Sequence, residues 1–348
     1  MVRERLRQEF SGPVRFWARS EGSHALLSRR RVQIALGVLW VFDGLLQAEP
    51  ANFARDYPLG DLAQSAMGQP RLVNESIFWL VHPFAAQWPL WNAAAVLVQL
   101  AIGAGLFFRH AVRPALVLSF GWALVVWWVG EGFGGIPTGF ATMLGGAPGP
   151  VLLYAVLGAL AWPREDSAEL DRSWWTGSWV ALWVGSAVVQ AASPFPASFL
   201  VQANLQEVAA GQRSFLHAAS YWLYHLATRS GSVVDVTLVV VELAVGLGVL
   251  LRRLRLASLA LALAFAGFAW VVGQDLGGIL SAGATDPGSG PLLALLALAG
   301  WRWGEQPAGT VPARSPGEGS PFGPAREVAR PAPLSRLRRL MGTNSSMV

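Results

Sequence analysis

The sequence contains no cysteine, so it has no disulfide, no thiolate nucleophile, no iron–sulfur cluster held on thiolates and no thioether-attached haem. Redox compartment therefore cannot be read from thiols. Lysine is missing too: all 26 basic residues are arginine. Charge is scarce altogether, at 14% of 348 residues against 53% hydrophobic. A soluble protein of this length needs far more charge to cover its surface, so the apolar side chains must face lipid. No P-loop, dinucleotide fingerprint, HExxH or GxSxG pattern is present, and no catalytic residue set is assigned.

The net charge of +5 raises the question of nucleic acid, which requires the arginines to form one patch. They do not. Eight precede the first apolar run, Arg29, Arg30 and Arg31 among them; short clusters separate later runs, and six follow Trp303. Basic residues in such places mark membrane topology and meet anionic lipid heads. No nucleic-acid partner is expected.

Apolar runs at 32–49, 91–108, 114–130, 149–163, 175–193, 233–251, 257–273 and 290–303 predict an all-α integral membrane protein with eight transmembrane helices. The Arg-rich start is long and the first run leads into Asp43, so it reads as a retained span and not a cleavable signal. With both termini cytoplasmic, twenty-two arginines lie inside and four, Arg55, Arg71, Arg213 and Arg229, lie outside. That asymmetry sets the orientation and predicts a multi-pass protein of the cell (plasma) membrane.

The sequence also repeats itself at a constant offset of 143 residues. Leu39-Trp40-Val41 falls on Leu182-Trp183-Val184, Gln47 on Gln190, and Trp79-Leu80-Val81-His82 on Trp222-Leu223-Tyr224-His225. Gln99 and the glycines after it fall on Glu242 and its glycines. Gly130 to Ile136 falls on Gly273 to Ile279, and Ala141-Thr142 on Ala284-Thr285. Such agreement implies two four-helix repeats, 32–164 and 174–303, which are parallel because four spans return the chain to its starting side. A basic cytoplasmic segment, 1–31, precedes them. A Pro/Arg-rich tail, 304–348, follows; its composition cannot bury a core, so it is expected to be disordered. Ser335 to Met341 within it reads as unstructured, a small basic surface helix being the lesser alternative.

Each repeat has an excursion after its first span, 50–90 and 194–232. The short apolar stretches inside, Ser76 to Phe84 and Phe215 to His225, read as interfacial or re-entrant helices. The last span of each repeat is about 21 Å long at 1.5 Å per residue, against roughly 30 Å of hydrocarbon. The Gly-rich segments before them, Gly130 to Pro150 and Gly273 to Pro291, are expected to make up the length as irregular backbone, tolerated only where protein or water satisfies it. Two readings are open: a binding site between the repeats, or tight connections without a ligand.

Polar groups at membrane depth supply the site candidates. Asp43 lies about 18 Å into the first span, Glu242 is mid-span, and Glu131 closes the third span. Their repeat counterparts are Ser186, Gln99 and Gln274. Gln47, Gln190, Thr142 and Thr285 complete the set. Each either binds a ligand or hydrogen-bonds a neighbouring helix. His82 and His225, related by the repeat, are weak candidates for a metal or b-type haem, with interfacial hydrogen bonding favoured. Ala284 to Gly288 reads as a turn in which Asp286 accepts backbone hydrogen bonds.

Glu242-Leu243-Ala244-Val245-Gly246-Leu247-Gly248 with Leu251-Arg252, and Arg31, Leu36-Gly37 and Gly44 of the first span, resemble the DoxX/DoxD-like family of four-helix membrane proteins. Residues 30–303 would then hold two family units, and the first copy departs from the pattern at Gln99. The resemblance implies a membrane component of a redox system; some relatives are subunits of a thiosulfate:quinone oxidoreductase. The leading expectation is a non-catalytic accessory protein binding quinone or lipid between its repeats within a redox or envelope complex. A small-solute or ion transporter using Asp43, Glu131 and Glu242 is the first alternative, and a haem- or metal-bearing oxidoreductase the second.

Overall fold

The structure, a computed structural model, describes residues 24–60, 62–164, 167–195, 199, 202, 205, 214–280 and 283–303. Most of the basic N-terminal segment, and the whole tail from 304, lie outside the described residues. Helix dominates: α1 Arg29–Gln47, α2 Arg71–Ala85, α3 Trp88–Phe107, α4 Val112–Val129, α5 Pro150–Leu160, α6 Arg172–Ala191, α7 Ser214–Gly248, α8 Arg255–Phe268, which runs on in a π-turn Ala269–Gly273, and α9 Ser289–Gly300. Short turns at Pro50–Phe53, Tyr57–Gly60 and Leu62–Ala66 join α1 to α2. Among the described residues, four helices are long and apolar enough to cross a membrane, Trp88–Phe107, Val112–Val129, Leu216–Gly248 and Arg255–Gly273. These are compatible with a membrane protein. A helix also covers the body of each of the eight predicted runs.

Local chemistry sets the helix ends. Ser28 caps α1 by accepting from the Arg31 amide at 3.4 Å, and Asp171 caps α6 by accepting from the Ser173 and Trp174 amides at 3.0 and 3.2 Å. α3 and α5 start on prolines, Pro89 and Pro150, whose missing N–H costs nothing in a first turn. Pro89, with Pro83 inside α2, separates α2 from α3. The matching positions, Leu226 and Ser232, lack proline. Helix there continues from Ser214 to Gly248 across a kink at Ser230, whose backbone is non-helical (φ −143°, ψ 42°), and the predicted short helix Phe215 to His225 is the part of α7 before that kink.

α1 lies against α3, and α6 against α7, through small residues. A side chain at Gly103 would meet Val41 Cγ2 at 2.6 Å and the Gly37 carbonyl at 2.8 Å; one at Gly246 would meet Val184 Cγ2 at 2.9 Å. One continuous apolar core then joins α1, α3, α4 and α5 to the last four helices, with Trp40, Leu153 and Tyr154 packed into the same cluster as Trp179, Trp183 and Leu292, while Ile77 and Val81 of α2 pack in a smaller cluster with Ala66. Outward faces are apolar as well: Leu97, Leu124, Val236 and Val240 are exposed.

The chain enters and leaves this bundle at one end, where His24–Ala25 pairs antiparallel with Arg302–Trp303. Arginines gather there; Arg30 caps the C-terminal carbonyls of α3, as the helix dipole favours, and Arg29 holds the connection from α5 to α6. Arg30 donates to the Leu106 and Phe107 carbonyls at 2.9 and 2.5 Å, and buried Arg29 to the Ser167 and Glu169 carbonyls at 2.6 and 2.7 Å. The opposite end holds the two Gly-rich connections.

Candidate functional site

The connections from α4 to α5 and from α8 to α9 are built alike. Both turn through left-handed backbone, at Phe133, Gly134 and Gly135 in one and at Leu276, Gly277 and Gly278 in the other. Glycine is required at Gly134 and Gly277: φ is +63° and +72°, and a Cβ would run into the backbone of Pro148 or Pro287. Trp127 Nε1 donates to the Pro148 carbonyl at 2.7 Å, and Trp270 Nε1 to the Pro287 carbonyl at 2.6 Å. Glu131 Oε1 accepts from the Val151 amide at 3.1 Å and so caps α5. Gln274 Oε1 accepts from the amide and hydroxyl of Ser289 at 2.9 and 3.0 Å and caps α9. Glu131 and Gln274 thus share a structural duty, and only Glu131 brings a titratable group to it.

Around Glu131 the fold collects further acid. Its second oxygen, Oε2, is buried and has no hydrogen-bond partner. Asp286, from the α8–α9 connection, and Asp43, from α1, lie within electrostatic reach of it and of each other. Asp43 is only 2% exposed and its Oδ1 has no partner. Tyr154 of α5, fully buried with its ring 4.3 Å from that of Trp40, faces the Asp43 carboxyl. Its hydroxyl is close enough to that carboxyl to interact with it. Asp286 is the best satisfied, accepting from the Gly288 amide at 2.8 Å and the Thr285 hydroxyl at 3.3 Å. The predicted turn at 284–288 is therefore present, and it carries a carboxylate into the group. The charges acting on Asp43 and Glu131 are other carboxylates.

Each connection is also clasped from across the bundle. Asn52, buried after α1, donates to the Ala284 carbonyl at 3.0 Å, and the neighbouring Glu49 accepts from the Gly283 amide at 3.1 Å. Ser193, after α6, donates to the Gly139 carbonyl at 2.7 Å, and Phe195 stacks on Phe140 at 4.1 Å. Gln274 Nε2 reaches the Leu144 carbonyl at 3.4 Å. Thr142 is buried and its hydroxyl accepts from the Gly145 amide at 3.0 Å, shaping its own loop.

The remaining predicted residues fall into two further places. Gln47 donates to Asn92 Oδ1 at 2.5 Å, with buried Gln99 two turns farther along α3. Gln190 donates to Asp235 Oδ1 at 2.7 Å, with buried Glu242 two turns farther along α7. His82 and His225 are exposed on α2 and α7, and their ring contacts are with Phe78 and with Tyr221 and Tyr224 of their own helices. Among the described residues, no three His, Asp or Glu side chains are grouped to hold a metal ion.

At the arginine end, away from the acid group, a groove of about 510 Å³ opens between α4, α5 and α6. Phe120, Val156, Ala159, Leu160, Trp162 and Trp174 give it apolar walls, and the ion pair Arg164–Asp171, at 2.8 Å, lies at its polar end. Asp171 is outside the helices' apolar bodies, and its carboxyl is held down to about 2 by the Ser173 hydroxyl first and the Arg164 guanidinium second.

No protein-family model, curated protein or solved structure matches the chain. Function is read here from geometry. Sequence reasoning missed Tyr154, Asp235, Asn92, Glu49 and Asn52, and took Asp286 only as a turn residue. Asn92 and Asp235 carried a signal: they are 143 residues apart, and each is 45 residues beyond its glutamine partner. Tyr154 carried none.

Proposed function

We propose that this chain is a multi-pass protein of the plasma membrane, built from two tandem four-helix units of DoxX-like architecture, that is an ion transporter carrying protons through its interior. The observation that carries the reading is the convergence of Asp43, Glu131, Asp286 and Tyr154 where two short helices begin. A carboxylate removed from water without a cation costs several kcal/mol, and the protein escapes that cost by keeping the group neutral. A buried acid held neutral is a bound proton, and three acids beside a phenol offer successive stations for one.

Several features support the membrane arrangement. The chain enters and leaves the bundle at one end, as an even number of crossings requires. Arginines mark that end, and the hydrogen bonds of Gln47 and Gln190 recur at the 143-residue offset. α1 and α6, at 19 and 20 residues, are about 28–30 Å long. α5 and α9 are shorter, and the connections that precede them complete the depth.

The test is proton flux into vesicles of reconstituted full-length protein holding a pH-sensitive dye. Under an imposed pH gradient with a potassium clamp, the wild type acidifies the lumen faster than empty vesicles, and Asp286→Asn does so at least about tenfold more slowly, the range of a lost proton-transfer group. Equal rates in protein-containing and empty vesicles, or in wild type and Asp286→Asn, refute the reading.

The groove at the arginine end favours a second reading. Its apolar walls and charged rim suit an amphiphile, quinone or lipid, held between the two units while the chain serves a membrane redox or envelope complex. Solvent extraction of the purified protein followed by mass spectrometry tests it. A stoichiometric amphiphile in the wild type that Ala159→Trp displaces supports this reading; no such molecule removes it.

A further inference from the structure

Glu242 stands apart from the acid group and is a buried carboxylate in its own right. It lies in α7 where that helix meets α6, at 0% exposure, and neither carboxylate oxygen has a hydrogen-bond partner. Asp235, two turns earlier on the same helix, is the charge that acts on it. α6 faces this stretch with Gln190, which holds Asp235 at 2.7 Å, and with neutral Trp179, whose indole N–H goes to the Val245 carbonyl at 2.9 Å. α8 contributes the Ser258 hydroxyl, donating to the same carbonyl at 2.7 Å, and Arg255, which reaches the Val249 carbonyl farther along. No base answers Glu242 in that set.

The chain contains its own control for this site. At the matching places 143 residues earlier stand Gln47, Asn92 and Gln99, with the same glutamine-to-α3 hydrogen bond and a buried amide where Glu242 would be. The same kind of helix pair is built there with amides, Gln99 Oε1 being unpartnered as well, so carboxylates are not required for two helices to meet in this way. An unneeded buried acid is costly unless it binds something.

We propose that Glu242, with Asp235 beside it, is a proton-binding site between α6 and α7, separate from the Asp43–Glu131–Asp286 group and absent from the matching α1–α3 pair. The proton neutralises Glu242 in its dry setting; Asp235, tied to Gln190 at the C-terminal end of α6, is the group through which it is exchanged. The site stands whether or not the protein moves protons through the acid group.

Infrared difference spectra of the purified full-length protein test it. Wild type minus Glu242→Gln should show the carbonyl band of a protonated carboxylic acid at neutral pH, lost at alkaline pH and unmoved by sodium chloride. A carboxylate signature at neutral pH overturns the proposal, as does a band that sodium removes, which would make the site one for a metal cation. Gln99 in the matching place indicates that the amide variant folds. A measurement on the wild type alone is independent of it: dicyclohexylcarbodiimide, which adds to protonated carboxyls in apolar surroundings, should label the peptide containing Glu242, and an unlabelled peptide overturns the proposal. Asp43→Asn should leave band and label intact, so failure of the proton-path reading and failure of this one are told apart.

Discussion

Replacing Asp43 separates a group kept for function from one kept for packing. Asp43 is 2% exposed and its Oδ1 is unpartnered. An unsatisfied buried acceptor costs about 1–3 kcal/mol, and the charges acting on it are carboxylates that would raise that cost if it ionised. Asn is nearly isosteric with a neutral carboxyl and adds an N–H donor toward Tyr154. Asp43→Leu should cost about 1–3 kcal/mol by leaving the buried Tyr154 hydroxyl without its polar neighbour, and Asp43→Asn should change stability by no more than about 1 kcal/mol. In a protein of this size that corresponds to a melting shift of about 2–4 °C or less. Proton flux in reconstituted vesicles should nevertheless fall at least about tenfold in both. The assay pairs thermal unfolding in detergent with flux in vesicles from the same preparation. A structurally paired, ionised Asp43 predicts the reverse: a loss of about 3–5 kcal/mol on removing one partner, with flux intact in the molecules that survive. That pattern refutes the reasoning.

Three further outcomes follow from the geometry. Gly277→Ala must place a Cβ at φ +72° against the Pro287 backbone; about 1–2 kcal/mol of left-handed strain plus the displaced Pro287–Trp270 bond should lower the melting temperature by about 4 °C or more, and an unchanged melt would refute it. Gly103→Leu should part α1 from α3, overpacking being worth about 1–3 kcal/mol, and a folded variant of wild-type stability would show that this contact is slack. Asp171→Asn keeps the cap but loses the negative charge at the N-terminus of α6 and the ion pair with Arg164, and should cost up to about 1 kcal/mol. Because the folded carboxyl sits at about 2, below its ordinary 3.8, its contribution is present above about 4 and lost as pH falls toward 2. The gap between wild type and Asp171→Asn should thus close in that window; a gap still open at pH 2 assigns it to another cause.

Much of the helix content was legible because hydrophobic runs bounded by arginine leave little choice. α1 begins at Arg29, not at 32, since Ser28 caps it and Arg29 is consumed by the Ser167 and Glu169 carbonyls, a contact between distant segments that no local pattern announces. That α7 passes its kink without an intervening loop was legible in principle, because prolines separate α2 from α3 and their counterparts are Leu226 and Ser232. Of the site, Asp43, Glu131, Gln274 and Glu242 could be singled out because charge and amide are conspicuous in apolar runs. Which of them meet could not be foreseen. Asp43 and Glu131 join Asp286 and Tyr154, whereas Glu242 belongs with Asp235 and Gln190, and that sorting depends on how α1, α5 and the α8–α9 connection pack.

The clasps across the acid end bear on what either half is worth alone. Asp43 and Glu131 come from residues 29–160, but Asp286 arrives on a loop that Asn52 and Glu49 hold in place from the other side, while Ser193 and Phe195 return the favour at Gly139 and Phe140. A chain ending after α5 would carry two of the three acids and would leave them facing an open seam. The group is thus a property of the partnership and not of either member.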